Sequence, residues 1–118
     1  MLSVEPDTAA CVVASLRAGT PTRVETAATV MAGLNCATMS SAAWPVLRHG
    51  LDAAVAVADD EALTAAADLE RLGVSSGPSG AATLAGVRRL CLDAGLRRRL
   101  DLDEDAVVVL LSTEGPAT

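Results

Sequence analysis

The chain has 118 residues, 51% of them hydrophobic, one aromatic (Trp44) and a net charge of -6. This length allows one small domain, or a piece of a larger one. The negative charge argues against a nucleic-acid or anionic-membrane partner, and a single ring is too few to stack on bases.

Leu2 to Val4 reads as the end of a strand. Pro6 and Asp7 start a helix, with Asp7 as cap, Val12, Val13 and Leu16 as its apolar stripe and Gly19 as its stop. Thr20 to Thr26 is a polar connection. Thr29 to Cys36 is apolar and pivots at Gly33. Ser40 and Ser41 precede a helical segment with Trp44, Val46 and Leu47, closed near Gly50. Ala53 to Val57 is continuously apolar, as in a strand covered on both faces.

Asp59, Asp60 and Glu61 place negative charge on the first turn of the next helix. Ala62, Ala66, Leu69 and Leu72 line one face of that helix, and Gly73 ends it. Ser75 to Ala82 then leads into a helix reaching about Leu92. Leu96 to Leu100 is a short helical or irregular piece, and Asp101 to Asp105 an acidic turn. Ala106 to Leu111 is the strongest strand, ending in Ser112-Thr113-Glu114-Gly115.

Alternating strands and helices predict an α/β unit over residues 1–118, three-layered around a small parallel sheet of three strands. Ligands of such sheets bind at the carboxyl ends of the strands. Three strands make a very small sheet, and a fully buried strand needs neighbours on both sides. The expectation is the C-terminal portion of a larger α/β enzyme, or a chain that completes its sheet with another.

The loop Ser75-Ser76-Gly77-Pro78-Ser79-Gly80 has a composition with two uses. Glycines admit a ligand to the free N–H groups of a helix start, and serines add donors. The same residues also make an ordinary loop and cap with no ligand, which is the commoner case. Cys11, Cys36 and Cys91 with the lone His49 form no metal set, so free thiols buried in a reducing cytosol are expected. No secretory leader pattern is visible, and aspartates interrupt the best apolar stretch before it reaches membrane-spanning length. Arg97, Arg98 and Arg99 face Asp101, Asp103, Glu104 and Asp105 as a solvated, self-paired surface. His49 reads as a charge partner at a helix end, and Glu114 as solvated or a structural acceptor.

Four segments in order resemble the C-terminal part of the fold-type II (tryptophan synthase β-like) pyridoxal-phosphate enzymes: Val4-Glu5-Pro6, Thr29 to Cys36, Ser76 to Ala81 and Leu111 to Gly115. Met31 to Cys36 and Ser112 to Gly115 are most similar to diaminopropionate ammonia-lyases. The resemblance implies a C-terminal portion of the large domain of a pyridoxal 5'-phosphate enzyme. Its substrate would be a small amino acid such as 2,3-diaminopropionate, giving pyruvate and ammonia in a cytoplasmic homodimer.

By that resemblance, Gly33 packs on the face of the cofactor ring. Ser112 hydrogen-bonds the pyridine nitrogen, with Thr113 as fallback, and Ser79 and Gly80 line the far edge of the ring. The chain also departs from the family pattern. Pro78 stands where these lyases carry a glutamate. All nine basic residues are arginine, so no lysine is present to carry the cofactor. The glycine-rich phosphate cradle and the acid–base aspartates lie upstream in the family, so no catalytic residue is assigned and the chain is expected to be inactive by itself. The alternatives are a threonine synthase or serine/threonine dehydratase, and a non-catalytic α/β interaction module.

Overall fold

The computed structural model describes residues 1–116. Two strands, β1 (Leu2–Pro6) and β2 (Ala53–Val57), pair in parallel, with Leu2 opposite Ala53 and Pro6 opposite Val57. The helices are α1 (Cys11–Ala18), α2 (Trp44–Gly50), α3 (Asp59–Arg71), α4 (Pro78–Leu92) and α5 (Ala94–Arg99). This is an α/β fold around a small parallel sheet, with α1 and α4 packed on both strands.

The core is built from small residues that let helices approach closely. Ala62, Ala65 and Leu69 of α3 meet Ala81, Ala82 and Ala85 of α4, with Val57 and Met31 filling the space toward the sheet. Gly86 brings α4 onto β1, because a Cβ there would collide with the side chain of Val4. Among the described residues no helix is long and apolar enough to cross a membrane.

Several expectations are corrected. The third strand is absent: residues 106–111 form no ladder, and Val107 and Val109 are 90% and 78% exposed. A strand exists only through its partner's N–H and C=O groups, and among the described residues β1 and β2 pair with each other alone. The segment instead shares cavities with α4, Val108 lining one with Cys91 and Leu111 another with Ala82. β2 is half-buried over residues 53–56, where a groove opens along it, and fully buried only at Val57.

Asp7 does not cap α1. It opens a three-residue 3-10 turn, Asp7–Ala9, and α1 starts at Cys11. The buried carboxylate of Glu5 accepts the amides of Val12 and Val13 at 2.8 and 2.9 Å, doing the work of a cap from the end of β1. α1 buries Cys11 and Ser15 rather than Val12, Val13 and Leu16. The Ser15 hydroxyl is satisfied there, donating to the Cys11 carbonyl at 2.6 Å and accepting from Thr22 at 2.8 Å.

Gly19 and Gly73 end their helices as expected, both with left-handed φ (+72° and +77°). Leu72 is exposed because the chain leaves α3 at that residue. Arg97, Arg98 and Arg99 close α5 and are exposed. Among the described residues they make no ion pair with the acidic turn, since water screens such contacts. Cys36 and Cys91 are exposed, so only Cys11 is a buried thiol.

Candidate active site

The first wall of the site is the loop before α2. Asp59, at the start of α3, accepts the Thr29 hydroxyl at 2.5 Å and the Val30 amide at 3.0 Å. The Thr29 hydroxyl in turn accepts the Met31 amide at 3.1 Å, and Met31 is fully buried in the core. Pinned at both points, the chain makes a short 3-10 turn, Ala32–Leu34, that presents the Gly33 amide outward. That amide donates to the Ser79 hydroxyl at 3.2 Å. Gly33 is therefore more than a turn glycine: a Cβ there would lie 3.3 Å from Ser79 Oγ.

The second wall is the start of α4. Pro78 occupies the first helical position, where its missing N–H costs nothing. Gly77 precedes it and has no side chain with which to cap the helix. The residues after Leu111 dock here. Ser112 Oγ lies 2.7 Å from Ser76 Oγ, and Glu114 accepts the Gly80 amide at 3.1 Å through Oε2. The Gly77 amide donates to the Glu114 carbonyl at 3.4 Å. A Cβ on Gly80 would sit 2.5 Å from Ser112 Oγ and 2.6 Å from Ser76 Oγ, so glycine is required there by space.

Between these walls lies a cleft of about 380 Å³, floored by Val4 and Leu34. Gly33, Ser79, Gly80 and Thr113 all line it, as does Glu114. The structure thus brings together residues from three distant parts of the sequence. Ser112 is placed differently from the other expected residues. Its hydroxyl stands behind Gly80, bonded to Ser76, while Thr113 faces the cleft. A larger groove, about 1190 Å³, opens along β2 among Arg17, Arg89, Asp7 and Asp52 and contains none of the expected residues.

Three contributors were not identified from sequence: Ser76, Asp59 and the side-chain role of Glu114 on Gly80. The pair Gly77 and Gly80 flanking Pro78 was the available signal, since two glycines that close leave room for something else to dock. Glu114 does act as a structural acceptor.

The shifted ionisable groups lie away from the cleft. Burial first, and then the charge of Glu5, pushes the Cys11 thiol up to about 11. The Arg89 guanidinium binds both carboxylate oxygens of Glu61, at 3.1 and 2.6 Å, and holds that carboxyl below its usual range. Glu61 also accepts the Ala58 amide at 2.7 Å, which is half of a capping box because Ala58 has no acceptor to return. Among the described residues no cluster of three or more His, Cys, Asp or Glu could hold a metal ion.

A family model described as pyridoxal-phosphate dependent enzyme matches residues 1–114. Among solved structures, diaminopropionate ammonia lyase from Escherichia coli, in complex with D-serine, is 30% identical with a TM-score of 0.80, covering 97% of this chain and 30% of that one. Threonine deaminase from T.th. is 31% identical (TM-score 0.69; 81% of this chain, 34% of that one). Maize serine racemase is 27% identical (TM-score 0.72; 81% and 31%). The chain therefore spans about a third of the length of the solved structures it matches. No curated protein matches it.

Proposed function

The chain belongs to the pyridoxal-phosphate dependent enzyme family, and on that premise we propose that it is the C-terminal portion of an ammonia-lyase acting on a small amino acid of the 2,3-diaminopropionate kind. The observation that carries this reading is the likeness to the diaminopropionate ammonia lyase structure over 97% of the chain. A cytoplasmic homodimer giving pyruvate and ammonia completes it. The second reading, a threonine synthase or serine/threonine dehydratase, draws on the 31% identity to a threonine deaminase.

The residues present suit the ring of the cofactor rather than its phosphate. Gly33 and Gly80 give the cleft side-chain-free walls, which a flat ring can approach. The start of α4, which could otherwise receive a phosphate, is already met by the carboxylate of Glu114. In this reading Gly33 leaves the ring face open and Ser79 and Gly80 wall its far edge. Thr113, which lines the cleft where Ser112 does not, offers the ring nitrogen a hydroxyl, which brings no negative charge and so does not enforce protonation.

When bound, the cofactor supplies an electron sink for charge developing at the substrate Cα. This chain has no lysine, so its own residues provide no lysine amine to carry the cofactor or move the Cα proton. The 118-residue chain is accordingly expected to bind and wall, not to turn over.

The test is an assay for pyruvate and ammonia from 2,3-diaminopropionate. The 118-residue chain with added pyridoxal 5'-phosphate should release neither, whereas an enzyme that joins this chain to an upstream lysine-bearing, glycine-rich segment should release both. Turnover by the chain alone would overturn the reading. Preference of the joined enzyme for threonine would select the second one.

A further inference from the structure

We propose that Glu114 is a positioning residue: a carboxylate latch that caps α4 from a distance and thereby fixes the Ser112–Thr113 turn at the cleft. It rests on the cofactor reading only for what the latch serves; the latch itself is a property of this chain. The start of α4 lacks the usual means of capping itself. Gly77 has no side-chain acceptor and Pro78 has no amide, so the free donors begin at Ser79 and Gly80. The helix start also carries partial positive charge, which favours an anion.

Glu114 meets both needs from 34 residues away. Its Oε2 accepts the Gly80 amide at 3.1 Å, and its main-chain carbonyl accepts the Gly77 amide at 3.4 Å. The seat is shaped for it. A Cβ on Gly77 would lie 2.5 Å from Glu114 Oε2, 2.6 Å from its Cδ and 2.7 Å from the Gly115 carbonyl oxygen. No side chain at position 77 is compatible with the carboxylate in place.

The latch matters because little else holds this stretch. Residues 106–111 belong to no strand and leave most of their large apolar side chains exposed. Beyond them, the hydrogen bonds that close the stretch among the described residues are the Ser112–Ser76 pair and the two to Glu114. With Glu114 seated, Ser112 is pressed against Gly80 and Thr113 faces the cleft. Without it, the turn that carries both hydroxyls is tied by one serine pair.

The test is amide hydrogen exchange and NMR on the full 118-residue chain, comparing Glu114→Ala, Glu114→Gln and Gly77→Ala. In Glu114→Ala the amides of Gly77 and Gly80, the two that Glu114 accepts, should exchange roughly tenfold faster, as expected when one charge-assisted bond is lost, with the rest of α4 unchanged and the resonances of Ser112 and Thr113 shifted. Glu114→Gln keeps a neutral acceptor and should restore most of the protection. Gly77→Ala keeps the carboxylate but fills its seat, and should loosen the same two amides, so the proposal remains testable if Glu114→Ala unfolds. Unchanged exchange at Gly80 in both Glu114→Ala and Gly77→Ala would overturn the latch. Adding pyridoxal 5'-phosphate separates the two readings: a working latch with no response at Gly33 or Ser79 upholds the latch and removes the cofactor from it.

Discussion

The Gly33 amide and the Ser79 hydroxyl are joined at 3.2 Å, closing one side of the cleft across 46 residues of sequence. Substituting Gly33 by alanine places a Cβ 3.3 Å from that hydroxyl, tight enough that one segment must give way. The expected cost is about 1 kcal/mol in folding stability, read by urea denaturation, from strain and the weakened bond. A larger effect is expected on any ligand that lies against Gly33, because the methyl enters the cleft itself.

At Gly80 the space is already taken. Alanine there must displace the Ser112 or Ser76 hydroxyl, both within 2.6 Å of the new carbon. Overpacking of this kind costs about 1–3 kcal/mol. Placing Gly80→Ala in a Ser112→Gly background should recover part of that loss, and a double-mutant cycle in urea measures the coupling.

Asp59 holds the glycine loop to α3 through Thr29 and Val30. Asp59→Ala removes both bonds, the one to Val30 open to water, and should cost about 1 kcal/mol. Limited proteolysis should then cut between residues 27 and 36 before other sites. Asp59→Asn keeps one acceptor and should fall between the two.

Cys11 should behave unlike the other thiols. Cys36 and Cys91 are exposed and should alkylate near neutral pH, while Cys11 is 2% exposed and protonated. Its pKa is raised from 9.0 to about 11 in the folded chain, so the folded state binds this proton more tightly than the unfolded state. That contribution to stability is fully present below pH 9.0 and is lost as pH rises toward 11. The midpoint of urea unfolding should therefore fall across this window, and the fall should shrink in Cys11→Ala.

Much of this was legible in the sequence, for identifiable reasons. Helix stops were legible because Gly19 and Gly73 both need left-handed φ. Leu69 stands on a periodic helix face, and Met31 and Val57 lie in continuously apolar stretches; all three are core. Gly33, Ser79, Gly80 and Thr113 do come together, an outcome fixed by tertiary packing that local pattern could only suggest through family resemblance. The failures share one cause. Residues 106–111 have strong strand composition, but strand formation depends on a partner's edge and not on composition alone. Glu5 and Glu114 cap helices from outside them, and no rule reading from the helix itself would find them.

The claim at the centre is that Gly33, Ser79, Gly80 and Thr113 wall one cofactor ring, with Ser112 behind Gly80. Titrating the isotopically labelled 118-residue chain with pyridoxal 5'-phosphate and following its amide resonances tests it most directly. Expected are weak, saturable shifts concentrated at those named residues, with no pyruvate formed when 2,3-diaminopropionate is added. Shifts confined to the arginine-bearing groove along β2, or none at the cleft up to saturating cofactor, would contradict it.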